Sequence, residues 1–98
     1  MNTIQKTLNG AIGTSFFGDE IKATTKQLEA IIGKASRFKD SKVSREWVRE
    51  FGGILFTLYD WKMSEFGDEE AIIWHIGGYN SESTGKVKQE LERLLKLL

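Results

Sequence analysis

Apolar positions along this chain fall in short runs whose period changes from two to nearly four. The stretch from Phe51 to Asn80, FGGILFTLYDWKMSEFGDEEAIIWHIGGYN, holds two runs, Ile54–Trp61 and Ala71–Ile76, joined by an acidic loop. Gly52-Gly53 is a two-residue hairpin signal. It predicts that Val43–Phe51 and Ile54–Trp61 are paired strands. In the first, Val43, Trp47 and Phe51 share a parity with Arg45 and Arg49. That mixture suits an edge strand, whose aromatics bury while long arginines reach past them to water. In the second, Ile54, Phe56 and Leu58 line one face, and Leu55, Thr57, Tyr59 and Trp61 line the other. A strand wet on one side alternates apolar with polar. This one does not, so its second face predicts a cover: a helix, a partner or a ligand. Ala71–Gly77 reads as a third strand, with Ile72, Trp74 and Ile76 against Ile73 and His75, and Gly77-Gly78 ends it.

The helical period appears twice. Thr24-Thr25-Lys26-Gln27 has the form of a capping box, Leu28, Ile31 and Ile32 follow at helical spacing, and Gly33 is a stop. From about Thr84 to the end, Val87, Leu91, Leu94, Leu95 and Leu98 form one stripe. Ahead of the first helix, Thr3, Ile4 and Leu8 suit a strand or a turn, and Ala11–Ala23 predicts a strand or hairpin around Gly18-Asp19. Lys34–Lys42 reads as a polar connector. The expected fold is α+β in a single domain over residues 1–98. Its antiparallel sheet has three to five strands, with a short N-terminal helix and a longer C-terminal helix packed on one face. Two helices cover one face of a sheet, leaving Leu55, Tyr59, Trp61 and Ile73 on the other. A homodimer through that face is expected. Its competitors are a cover formed by Phe16 and Phe17, or an open partner site.

Composition narrows the function. With 98 residues, 40% hydrophobic and 29% charged, the chain is an ordinary globule. It has no cysteine, which excludes disulfides, thiolate nucleophiles and Cys-type zinc sites and suits a reducing cytoplasm. A formal net charge of zero disfavours a general nucleic-acid or anionic-membrane binder. No apolar run approaches the ~18 residues of a membrane span, and the N-terminus lacks the apolar centre of a signal peptide. Charge is nonetheless uneven. Lys34, Arg37, Lys39, Lys42, Arg45 and Arg49 make the middle basic, and Asp60, Glu65, Asp68, Glu69 and Glu70 make the next loop acidic. These are either two solvated loops or a bipolar surface that steers a charged partner.

Catalytic signals are weak. His75 is the sole histidine. An Asp60 pairing across the hairpin would make it a general base, but no serine sits in a nucleophile elbow. The acidic loop lacks EF-hand spacing, and the Gly-Gly pairs form no phosphate loop. No enzyme, metal or cofactor is expected. Trp74 reads as core. Tyr59 and Trp61, large anchors with polar tips, read as binding residues together with Leu55, His75 and Tyr79. Glu65, Asp68 and Glu69 are a second candidate surface, for a basic partner.

Two resemblances add to this. Ile21–Gly33 followed by Glu46-Trp47-Val48 resembles half of the β-lactamase inhibitory protein and the small lipoproteins of the outer-membrane barrel-assembly machinery. The export signal and cysteines of those proteins are absent here, so their periplasmic function does not carry over. Over most of the chain, Gly13–Phe17, Ile21–Thr24, Glu46-Trp47-Val48, FTLYDWK (Phe56–Lys62) and WHIGG (Trp74–Gly78) resemble a family of short, mostly uncharacterised bacteriophage proteins. That resemblance implies a phage protein in the host cytoplasm. The expectation that follows is a non-enzymatic protein that binds and inhibits or modulates a host macromolecule, with a host protein as partner, for example as an anti-defence protein. The rival expectation is a small-ligand protein whose aromatic face, with His75 and Arg45 or Arg49, clasps a nucleotide-like anion.

Overall fold

In the computed structural model, which describes residues 3–7 and 13–98, the chain leaves its longest strand at Thr24. Thr24 keeps an extended backbone and its hydroxyl accepts from the Gln27 amide. The Gln27 side chain accepts in return from the Thr24 amide, completing the expected capping box. Strand β2 (Ser15–Thr24) and helix α1 (Thr25–Ile32) therefore meet at one residue. α1 stops at Gly33, whose φ of 88° is one that glycine adopts without strain.

The other elements are β1 (Ile4–Lys6), β3 (Ser36–Arg37), β4 (Arg45–Phe51), β5 (Ile54–Asp60), β6 (Ala71–Gly78) and α2 (Ser81–Lys96). The fold is α+β. All strand pairings are antiparallel, in the order β1-β4-β5-β6-β2, with the two-residue β3 also beside β4. Among the described residues the sheet thus has six strands, and β3 lies inside the stretch expected to be a connector. β4 is not an edge: β1 and β3 flank it on one side and β5 on the other. It begins at Arg45 rather than Val43, and β5 ends at Asp60 rather than Trp61. The expectations for Leu8 and Ala11 lie outside the described residues.

Gly77 and Gly78 do not end β6; they are its last two residues, and both are buried. A Cβ at Gly77 would run into Thr57 Oγ1, and one at Gly78 would lie 2.7 Å from Thr84 Cγ2. Glycine is there because neighbouring side chains fill its place. α2 starts three residues before Thr84, because Asn80 accepts from the Ser83 amide and caps it.

Both helices lie on one face. Their Leu28, Ile32, Val87 and Leu91 pack with Ile21, Ala23, Trp47, Phe56, Leu58, Ile72, Trp74 and Ile76 of the sheet. Trp47 and Trp74 meet edge to face at 5.2 Å across the centre of this core. Trp74 is fully buried, and Ile54 packs against the cluster from its margin. No helix among the described residues is long and apolar enough to cross a membrane.

Candidate binding face

Parity along β4 separates the two faces residue by residue. Arg45, Trp47 and Arg49 point to the helices, and Glu46, Val48 and Glu50 to the opposite side. The two arginines were expected to reach water; instead both are buried. Arg45 Nε donates to Asp60 at 3.0 Å, Nη1 to Thr25 Oγ1 at 2.8 Å and Nη2 to the Met63 carbonyl at 2.9 Å. Arg49 Nε donates to the Ile32 carbonyl at 2.9 Å and Nη2 to that of Lys34 at 3.2 Å. Trp47 Nε1 donates to the Gly33 carbonyl at 2.7 Å. Three side chains of one strand therefore clamp α1 at both ends. Arg49 brings its charge to the carbonyl end, where the helix dipole favours it, although burial pulls its pKa down.

Asp60 is fully buried in this network and is no partner of His75. Burial pushes its pKa up. Donors from the Ser44 hydroxyl and amide and from Arg45 outweigh that, and the net shift is downward.

The acidic loop is latched rather than free. Arg37 donates to both Asp68 oxygens, at 3.0 and 2.8 Å, and Lys26 Nζ lies 2.7 Å from Glu69. The Lys26 amide also donates to the Asp68 carbonyl. Hydrogen bonds from Arg37 hold Asp68 below its ordinary pKa, with burial opposing. A cleft of about 190 Å³ opens where this loop meets β3 and β4. Its charged walls, Arg37, Arg45 and Asp68, bond to one another. Glu65 stands exposed in the same loop. No group of three or more potential metal ligands occurs among the described residues.

On the open face the register builds a row across four strands: Glu46 of β4, Tyr59 of β5, His75 of β6 and Glu20 of β2. His75 Nε2 lies 3.0 Å from Glu20 Oε2. Three rings surround the imidazole. Phe16 stacks on it at 4.0 Å and 9°, Tyr59 meets it edge-on at 5.5 Å, and Trp61 lies nearly parallel at 6.3 Å. Phe16 and Trp61 remain 41% and 39% exposed. Leu55 and Ile73 lie half-buried on the same face, and no described helix covers it. Burial, and after it the charge of Glu46, raises the Tyr59 pKa. Burial alone raises that of Glu46.

The structure thus gathers Leu55, Tyr59, Trp61 and His75 and sends Arg45 and Arg49 to the other side. Tyr79 follows β6 as an exposed ring. Glu65, Asp68 and Glu69 lie in a separate region, where Arg37 and Lys26 neutralise Asp68 and Glu69 and Glu65 stays exposed. Phe16 lies over the open face, as one of the competing readings has it, while Glu20 and Glu46 are members of that face that the sequence reading missed. The parity of Glu46, one residue from Trp47, carried that signal. For β2 the parity was unreadable, because the pairing shifts register between Phe16 and Glu20, beside Gly18 with its φ of 100°. The chain matches no protein-family model, no curated protein and no solved structure among those compared.

Proposed function

We propose that this chain is a non-enzymatic binding protein that engages a macromolecular partner through its open sheet face. The observation that carries the reading is the group of four rings on that face. Phe16 and Trp61 stay substantially exposed in a domain that buries both its other tryptophans. Exposed aromatics on a rigid sheet are suited to serve as interface anchors. His75 serves here as a stacked platform: one ring face is occupied by Phe16 and Nε2 by Glu20. The likeness of FTLYDWK and WHIGG to phage proteins supports a host protein in the cytoplasm as the partner, inhibited or modulated by being bound. The rival anion site loses its cations, since Arg45 and Arg49 face the helices while Glu20, Glu46 and Glu50 face out.

Capture from bacterial lysate tests this. Tagged wild type, Tyr59→Ala/Trp61→Ala and Phe38→Ala are compared, Phe38 being an exposed ring beside the loop cleft. A stoichiometric partner retained by wild type and Phe38→Ala, but lost from the double variant at unchanged fold, is expected. Equal capture by all three sinks the reading.

A further inference from the structure

The open face has a charge pattern as well as rings. Among its described residues, Glu20, Glu46 and Glu50 are acidic, and Lys22 is the only strand cation. Glu20 is engaged by His75. Glu46 is half-buried and in no ion pair among the described residues, and since no buried side-chain oxygen there lacks a partner, its carboxylate stays within reach of solvent. It lies directly across from Tyr59, with Trp61 one pleat further along the same face, within reach of one inserted side chain. Trp61 already attracts a cation: Lys62 Nζ lies 5.8 Å from its ring centroid.

Building on the open face as the binding surface, we propose that its occupant is a partner segment that inserts an arginine, whose guanidinium pairs with Glu46 and stacks on Tyr59 and Trp61. A planar, weakly hydrated cation with a fork of donors matches a carboxylate flanked by rings better than an ammonium does. It would give the half-buried Glu46 a charged, bidentate donor in place of solvent. A second copy of the chain fits less well, because a two-fold pair brings the acidic patch of Glu20, Glu46 and Glu50 against the same patch of its partner.

The test is titration of the ¹⁵N-labelled full chain with the peptide GRGRGRG and with its citrulline and lysine counterparts. The arginine peptide is expected to bind at least tenfold more tightly than the citrulline peptide and severalfold more tightly than the lysine one. Its largest shifts should fall at Glu46, Tyr59 and Trp61. Glu46→Gln should weaken it at least fivefold. Glu92→Gln, an exposed change on α2, should leave it unaltered. Equal affinity for arginine and citrulline peptides overturns the proposal. So do shifts confined to Asp68 and Glu69, equal effects of the two glutamine variants, or a concentration-dependent dimer broken by Trp61→Ala. Any of these leaves the lysate capture with Tyr59→Ala/Trp61→Ala to decide separately whether the face binds a partner at all.

Discussion

On the covered face of the sheet, Arg45 and Asp60 lie buried 3.0 Å apart, each with several further hydrogen bonds. On the open face Glu46, the next residue along the same strand, is half-buried, and no ion pair among the described residues offsets the burial that raises its pKa. The aromatic residues divide in the same way. Trp47 and Trp74 are fully buried and both donate to carbonyls, at Gly33 and Ala23. Phe16 and Trp61 stack on His75 and stay exposed. One sheet thus builds two surfaces from similar residues. Where burial is matched by partners, the residues hold the fold. Where rings and a carboxylate stay accessible, they are open to the contacts proposed above with a partner outside the fold.

The largest expected effect is on the covered face. Asp60→Ala leaves the buried Arg45 with only the part-exposed Asp68, at 3.4 Å, as counter-ion and should cost roughly 3–5 kcal/mol in denaturant unfolding. A domain of this size has only about 5–15 kcal/mol in total. The same contacts set the acid limit. The folded pKa of Asp60 lies below its unfolded value, so its contribution is complete above the ordinary carboxylate range near ~3.9. It is lost as pH falls through the depressed folded value. Asp68 shifts the same way and adds to this. A loss of less than about 1 kcal/mol in Asp60→Ala would show that the covered face does not depend on this pair.

Next is Gly77, where the open face is packed most tightly. Gly77→Ala places a methyl against Thr57 Oγ1, buried in the neighbouring strand, and should cost about 1–3 kcal/mol. Adding Thr57→Ala removes that oxygen and should recover most of the loss. A double-mutant cycle with no coupling would show that the two residues do not compete for one space.

A smaller effect belongs to the loop. Asp68→Lys breaks the Arg37 pair and sets a cation beside Arg45. Since Arg37 is about half exposed, the expected loss is roughly 1 kcal/mol, shrinking in high salt. Stability independent of salt in both wild type and variant would remove the latch from the picture.

How much of this was legible follows from which forces are local. The Thr24 cap, the Gly33 stop and the helical stripe of Val87 and Leu91 depend on neighbours within a turn, and all were readable. The clustering of Leu55, Tyr59 and His75 followed from strand parity alone. Arg45 and Arg49 misled because parity places a side chain on a face but does not say what waits there. Their acceptors, the ends of α1 and Asp60, lie 15 to 20 positions away in sequence. Gly77-Gly78 misled for a similar reason. A glycine pair reads as a turn unless the side chains that fill its place, Thr57 and Thr84, are known. Glu20 was hidden by the register shift in β2, and Phe16 was legible only as a competing cover for the open face.

The smallest expected effect has the opposite sign and separates the faces most sharply. Burial raises the Glu46 pKa, so the folded state holds that proton more tightly than the unfolded chain. The stability linked to it is fully present below the ordinary glutamate value and is lost as pH rises through the raised one. At neutral pH the ionised group is therefore a burden on the fold. Glu46→Gln keeps the shape without the charge and should match or exceed wild type at pH 7, by about 0.5 kcal/mol or less. The gap should close below pH ~4, where both side chains are neutral. Thermal unfolding of the pair across that range is the measurement. A residue whose loss stabilises the domain while weakening its binding is retained for contact rather than for folding. If Glu46→Gln instead lowers stability at pH 7 by as much as a kcal/mol, Glu46 belongs with Asp60 among the residues that hold the sheet, and the contrast between the two faces fails at this position.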